Sequence, residues 1–158
     1  MVLSFGMGKL LKICTRKERR APMETCTQAE ITFENGVGND SRGKHKGKRQ
    51  VTVMALEDWN AACAELAVEV SWTTRRANLL IEGVELKDTT GGILQIGNFQ
   101  LEITGELVPC ERMDEQVSGL TKALSTNWRG GVTCKILSEG SANEGDDVVL
   151  VLPDSNPS

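Results

Sequence analysis

Ile93-Leu94-Gln95-Ile96-Gly97-Asn98-Phe99-Gln100-Leu101-Glu102-Ile103-Thr104 is the stretch on which the fold turns. From Phe99 onward, Phe, Leu and Ile alternate with Gln, Glu and Thr, the period of a strand with one face in a core. Gly97-Asn98 interrupts the run, and a glycine at the first turn position suits a two-residue hairpin. Pro109 cannot donate to a sheet ladder, so the second strand of the pair must end near it.

Further along, Val132, Cys134 and Ile136 alternate with Thr133 and Lys135, and Val148 to Leu152 is an apolar run launched from a Gly145-Asp146 turn. Shorter strand signals lie at Leu10 to Cys14, Glu30 to Phe33, Gln50 to Met54 and Asn78 to Glu82. Helical patterning is sparse. Leu56, Trp59, Cys63 and Leu66 form one apolar stripe, with Glu57 and Asp58 in the first turn where carboxylates suit the helix dipole. A second short helix is expected from Ser118 to about Ser125, carrying Leu120, Ala123 and Leu124. Many short strands, few helices and 16 glycines predict a mainly β protein, a closed or nearly closed barrel rather than a parallel α/β sheet.

A chain of 158 residues suits a single domain, here taken as 1–158. A net charge of −4 argues against nucleic acid as the main partner. No apolar run reaches the roughly 20 residues that span a bilayer, so no membrane partner is expected. Met1 to Gly8 lacks the basic start and cleavage site of a signal peptide. Five cysteines without a disulfide-like spacing then point to reduced thiols and a cytoplasmic setting.

Cys110 is the cysteine in the most pointed context. It follows Leu107-Val108-Pro109 at the strand end, where a fixed scaffold gives way to a loop. Cys14, Cys63 and Cys134 lie in patterned strands or a helix and read as small buried hydrophobes, while Cys26 is in a loop and uninformative. Arg112, two residues beyond Cys110, would favour a thiolate, the form that acts as nucleophile or soft metal ligand. Other candidates are the basic loop Arg42-Gly43-Lys44-His45-Lys46-Gly47-Lys48-Arg49, the element Thr73-Thr74-Arg75-Arg76-Ala77-Asn78, and Asn127-Trp128-Arg129-Gly130-Gly131, which reads first as a plain strand-entry turn and second as a close approach to a ligand. The loop reads first as solvated, then as a phosphate site, and last as a nucleic-acid contact, because no aromatic residue interleaves its cations. In an extended chain Arg76 and Asn78 point to one face, a cation beside an amide.

These segments form a colinear series: Arg49-Gln50-Val51-Thr52-Val53, Glu57, Arg76-Ala77-Asn78, Leu94-Gln95-Ile96-Gly97, Leu101 to Gly105, Pro109-Cys110, Arg129-Gly130-Gly131-Val132 and Glu144-Gly145-Asp146. In this order and spacing the chain resembles the MOSC domain, named for the C-terminal part of molybdenum cofactor sulfurases, from about Leu11 to about Leu152. The resemblance implies a compact MOSC-type β-barrel with a few short helices. It implies binding of molybdenum cofactor (molybdopterin), with Cys110 as metal ligand and catalytic residue. Arg76 and Asn78 would hold the pterin or phosphate, and Lys48, Arg49 and Gln50 would face the cofactor; Arg112 and Arg129 are added as cofactor-binding candidates for their charge.

Two activities follow from the resemblance. One is reduction of a small N-hydroxylated substrate, with an electron-donor protein as partner. The other is carriage of sulfur as a persulfide on Cys110, loaded by a separate pyridoxal phosphate-dependent cysteine desulfurase. A non-catalytic binding module is the third reading. Ser141-Ala142-Asn143-Glu144 is polar where such domains carry an apolar residue, so a looser final hairpin is expected.

Overall fold

A computed structural model describes residues 5–18, 22–38, 40, 47, 49–110 and 113–153. The strands are β1 (Phe5–Thr15), β2 (Glu24–Cys26), β3 (Gln28–Thr32), β4 (Gly36–Val37), β5 (Val51–Ala55) and β6 (Leu79–Glu82). They continue with β7 (Ile93–Ile96), β8 (Phe99–Glu106), β9 (Val132–Ser138), β10 (Gly140–Asn143) and β11 (Asp147–Val151). Three short helices, α1 (Leu56–Leu66), α2 (Met113–Gln116) and α3 (Leu120–Ser125), and a 3₁₀ turn at Trp72–Arg75 complete the described elements.

The mainly β expectation holds. In order β1-β11-β7-β8-β9-β5-β6, seven strands return to β1 and close a barrel. Closure removes the free edges that an open sheet would expose. The hairpin predicted at Gly97-Asn98 joins β7 to β8, with Ile96 opposite Phe99. One pair, β5 with β6, is parallel. A parallel pair needs a crossover, and α1 and the 3₁₀ turn supply it.

Strand alternation sorts the apolar residues into two clusters. Leu10, Ile13, Val53, Leu79, Ile81, Leu101, Ile103 and Val132 point into the barrel. Met54 and Leu80, between those positions, point outward against Trp59, Ala62, Leu120 and Leu124 of the helices. Every residue of β5 is therefore buried, one face by the barrel and the other by α1 and α3.

Two features depart from the sequence reading. β1 begins at Phe5 rather than Leu10, and its extra half pairs Phe5–Lys9 with β11 to close the ring. The polar stretch expected to loosen the last hairpin is instead β10, which pairs with β3 and buries Ala142 in a small sheet with β4. Asp146 Oδ2 caps its end by accepting from Asn143 N at 2.9 Å. Backbone pairing replaces the apolar anchor. No helix among the described residues is long and apolar enough to cross a membrane.

Candidate functional site

The site is built from the end of β8. Glu106 lies opposite Val132 at the start of β9, and Leu107 N still donates to Gly131 O at 2.8 Å. Val108 then turns outward, 66% exposed, and Pro109 has no N–H with which to resume the ladder. Cys110 is exposed, and its carbonyl accepts from Thr121 Oγ1 and from Met113 N, both at 2.9 Å. The backbone carrying the thiol is thus held on both sides while the side chain faces solvent.

The remaining cysteines are enclosed: Cys14, Cys63 and Cys134 are buried and Cys26 is half-buried. Burial, with smaller contributions from Cys26 and Asp40, pushes the Cys14 thiol up to about 11. Burial alone raises Cys134, and burial followed by Glu144 and Glu24 raises Cys26. The thiols of Cys14, Cys26 and Cys134 stay protonated near neutral pH and are poor nucleophiles.

Arg75 and Arg76 diverge. Arg75 ends the 3₁₀ turn, is 7% exposed, and donates from Nη2 to Leu107 O at 2.6 Å and from Nε to Gly130 O at 3.1 Å. Arg76 has a left-handed φ of 66°, rare for a side chain of its size, and is half-buried. That kink separates a buried Arg75, whose guanidinium is bonded to two carbonyls, from a half-buried Arg76. α2, just beyond the Cys110 loop, packs against the same 3₁₀ turn, so the element bearing Arg76 adjoins the segment bearing Cys110.

Asn78 is 1% exposed, and its amide is occupied within the barrel wall. Its Oδ1 accepts from Thr52 N at 3.1 Å and Thr52 Oγ1 at 3.3 Å, while Nδ2 donates to Cys14 O at 3.2 Å. Gln50 is likewise buried and donates to Phe33 O at 2.7 Å. Arg49 is exposed beside it. Lys48, Arg112 and most of the basic loop, His45 included, lie outside the described residues.

Arg129 is held between two helices. Its Nη1 donates to Ala123 O at 3.1 Å and pairs with Glu65 at 3.2 Å, between α3 and α1. With Asp58, Ala61, Glu85, Lys87 and Asn127 it lines a cavity of about 350 Å³. Burial foremost, then Glu57 and Glu85, push the Asp58 carboxyl up to about 6 against the opposing pull of Arg129. A raised carboxyl pKa means the fold favours the protonated form, so this group's contribution to stability falls as pH climbs from about 4 to about 6. Asp58→Asn is expected to raise the melting temperature at pH 7 and leave it unchanged at pH 4, read by thermal denaturation at both. Equal shifts at the two pH values would refute the assignment.

Among the described residues no three His, Cys, Asp or Glu side chains converge as a metal cluster. The structure therefore brings together an exposed thiol, a buried arginine bracing its strand end, and a half-buried arginine on the adjoining element. Sequence alone gives Arg75 no role of its own, because nothing in Thr74-Arg75-Arg76 separates the two arginines; the backbone kink at Arg76 does.

A closed β-barrel with its one exposed cysteine on the exit from a strand defines a small barrel protein carrying an open thiol among the described residues. Residues 24–149 match the family model of the MOSC domain, and the chain belongs to that family. Among solved structures it is similar to the YuaD protein of Bacillus subtilis, with a TM-score of 0.81 at 15% identity, covering 96% of this chain and 99% of that one. YiiM from Geobacillus stearothermophilus gives 0.73 at 16% identity, over 92% and 75% of the two chains. YiiM from Escherichia coli gives 0.69 at 14%, over 94% and 72%. No curated protein matches.

Proposed function

We propose that this protein binds molybdenum cofactor through Cys110 and reduces small N-hydroxylated compounds, taking electrons from a separate protein. The observation that carries the reading is the exposed Cys110 thiol on a backbone fixed by Arg75, Thr121 and Met113. A metal already held by dithiolene sulfurs asks the protein for one soft donor, so a lone thiolate suffices and no wider ligand cluster is needed. At the phosphate end the demand is for cations, and Arg76 with Arg49 are the described residues free to meet it by position.

When bound, the cofactor would supply two-electron redox chemistry, turning an N–OH group into N–H and water with two protons and two electrons from the partner protein. Cys110 would hold its metal as a soft ligand. Arg76 would meet its anionic tail. Arg75, Asn78 and Gln50 hold the wall on which these groups stand. Elemental analysis of protein from its own host is the test: molybdenum is expected in the native chain and is lost in Cys110→Ser. Molybdenum retained by that variant would remove Cys110 as ligand.

A second reading is favoured by the occupied amides of Asn78 and Gln50, which leave fewer polar groups for a pterin than the resemblance implied. A sulfur carrier needs only the open thiol and a nearby cation. A cysteine desulfurase would convert free cysteine to alanine and transfer its sulfur, so that the Cys110 thiol becomes a persulfide. The expected readout is a mass gain of one sulfur, absent in Cys110→Ser.

A further inference from the structure

We propose that Arg75 is the positioning residue of the Cys110 thiol, a role distinct from the cofactor-binding one proposed above for Arg76. The inference rests on Cys110 being the functional group of this barrel.

Four hydrogen bonds carry it. Leu107 is fixed at both backbone atoms: its N–H donates to Gly131 O at 2.8 Å and its C=O accepts from Arg75 Nη2 at 2.6 Å. The same guanidinium donates through Nε to Gly130 O at 3.1 Å. Three residues later the Cys110 carbonyl is held by Thr121 Oγ1 at 2.9 Å. The fork therefore ties the segment leaving β8 to the segment entering β9, and the thiol is carried on the short span between that tie and Thr121.

Pro109 lies inside this span and cannot donate to a ladder, so the side-chain fork on the Leu107 carbonyl, two residues earlier, holds the segment as it leaves β8. Guanidinium geometry matters: two N–H groups in a rigid plane meet two carbonyls at once, which the point charge of lysine does not reproduce. Nothing in the wall is left over, since no buried side-chain nitrogen or oxygen among the described residues lacks a partner. Gly130 shows how closely the parts fit. A Cβ there would stand 2.6 Å from Leu107 O, 3.1 Å from Arg75 Nη2 and 3.4 Å from Pro109 Cδ.

The test is spectroscopic and needs no cofactor. A nitroxide is attached to Cys110 in a Cys26→Ser background, the other cysteines being buried. A control label goes on Lys135→Cys, an exposed position of β9, in a chain also carrying Cys110→Ser and Cys26→Ser. In the parent the Cys110 label is expected to show an immobilised spectral component. Arg75→Lys, which keeps the buried charge, should lose that component at Cys110 and leave the control spectrum unchanged. An immobilised component that persists at Cys110 in Arg75→Lys overturns the proposal, as does an equal change at both labels.

Should Arg75→Lys not fold, Gly130→Ala displaces the same Leu107 carbonyl with Arg75 in place, and an unchanged Cys110 spectrum there overturns the proposal equally. Molybdenum content separates this claim from the reading beneath it. If Cys110→Ser keeps its molybdenum, the ligand assignment fails whatever the spectra show. If that variant loses molybdenum while the Arg75→Lys spectrum stays immobilised, the positioning claim fails alone.

Discussion

Asn78→Ala is expected to cost about 3–5 kcal/mol, from the pairing of Thr52 N–H and Cys14 C=O that the amide now provides. Both groups sit where β1, β5 and β6 meet, and Thr52 and Cys14 are fully buried, so water cannot replace the lost partner. Against a typical total of about 5–15 kcal/mol this is a large fraction. The melting temperature should fall by roughly 10 °C. Asn78→Asp should do no better, because it sets a carboxylate against the Cys14 carbonyl and discards the donor. The comparison that matters is Arg76→Ala, which should keep the melting temperature within a few degrees and weaken retention of an anionic cofactor. A melting temperature for Asn78→Ala equal to wild type would show that the amide is not structural and return it to the binding surface.

Gly131→Ala is the second large effect. Gly131 has a φ of 97°, and a Cβ there would overlap the Val53 carbonyl oxygen in the neighbouring strand. Left-handed strain alone costs about 1–2 kcal/mol for a non-glycine residue. The overlap with a backbone atom has no flexible partner to relieve it, so about 3 kcal/mol or more is expected in all. Because Gly131 O receives the Leu107 N–H, the shift that relieves the clash also moves the root of the Cys110 segment. Gly145→Ala separates the two causes: its φ is 91° but no atom lies within 4 Å of the added Cβ, so only the conformational part applies. Urea midpoints of the two variants should differ clearly. Equal midpoints would mean that the overlap at Gly131 is absorbed without cost.

The cysteines show how much of the site was legible. Sequence context separated Cys110 from Cys14, Cys63 and Cys134, and their burial agrees with that separation, because strand alternation fixes which face a side chain takes. Arg76 and Asn78 show the limit. An extended reading put both on one face as a cation and an amide. The chain instead kinks at Arg76, so Asn78 is drawn into the wall and Arg75 into the fork. Arg129 likewise looked like part of one basic rim, yet its guanidinium is taken by Glu65 and the end of α3.

Local periodicity was enough to establish β7, β8, β9, β11 and α1, because each buries one face and repeats at its own period. It also placed Cys110 at a strand end, since proline's missing N–H is a property of the residue itself. Closure of the barrel through Phe5–Lys9, the pairing of polar β10 with β3, and the division of labour between Arg75 and Arg76 were decided only in three dimensions. Those depend on backbone groups finding partners from far along the chain, and every residue brings the same N–H and C=O to that choice, so side-chain identity does not encode it.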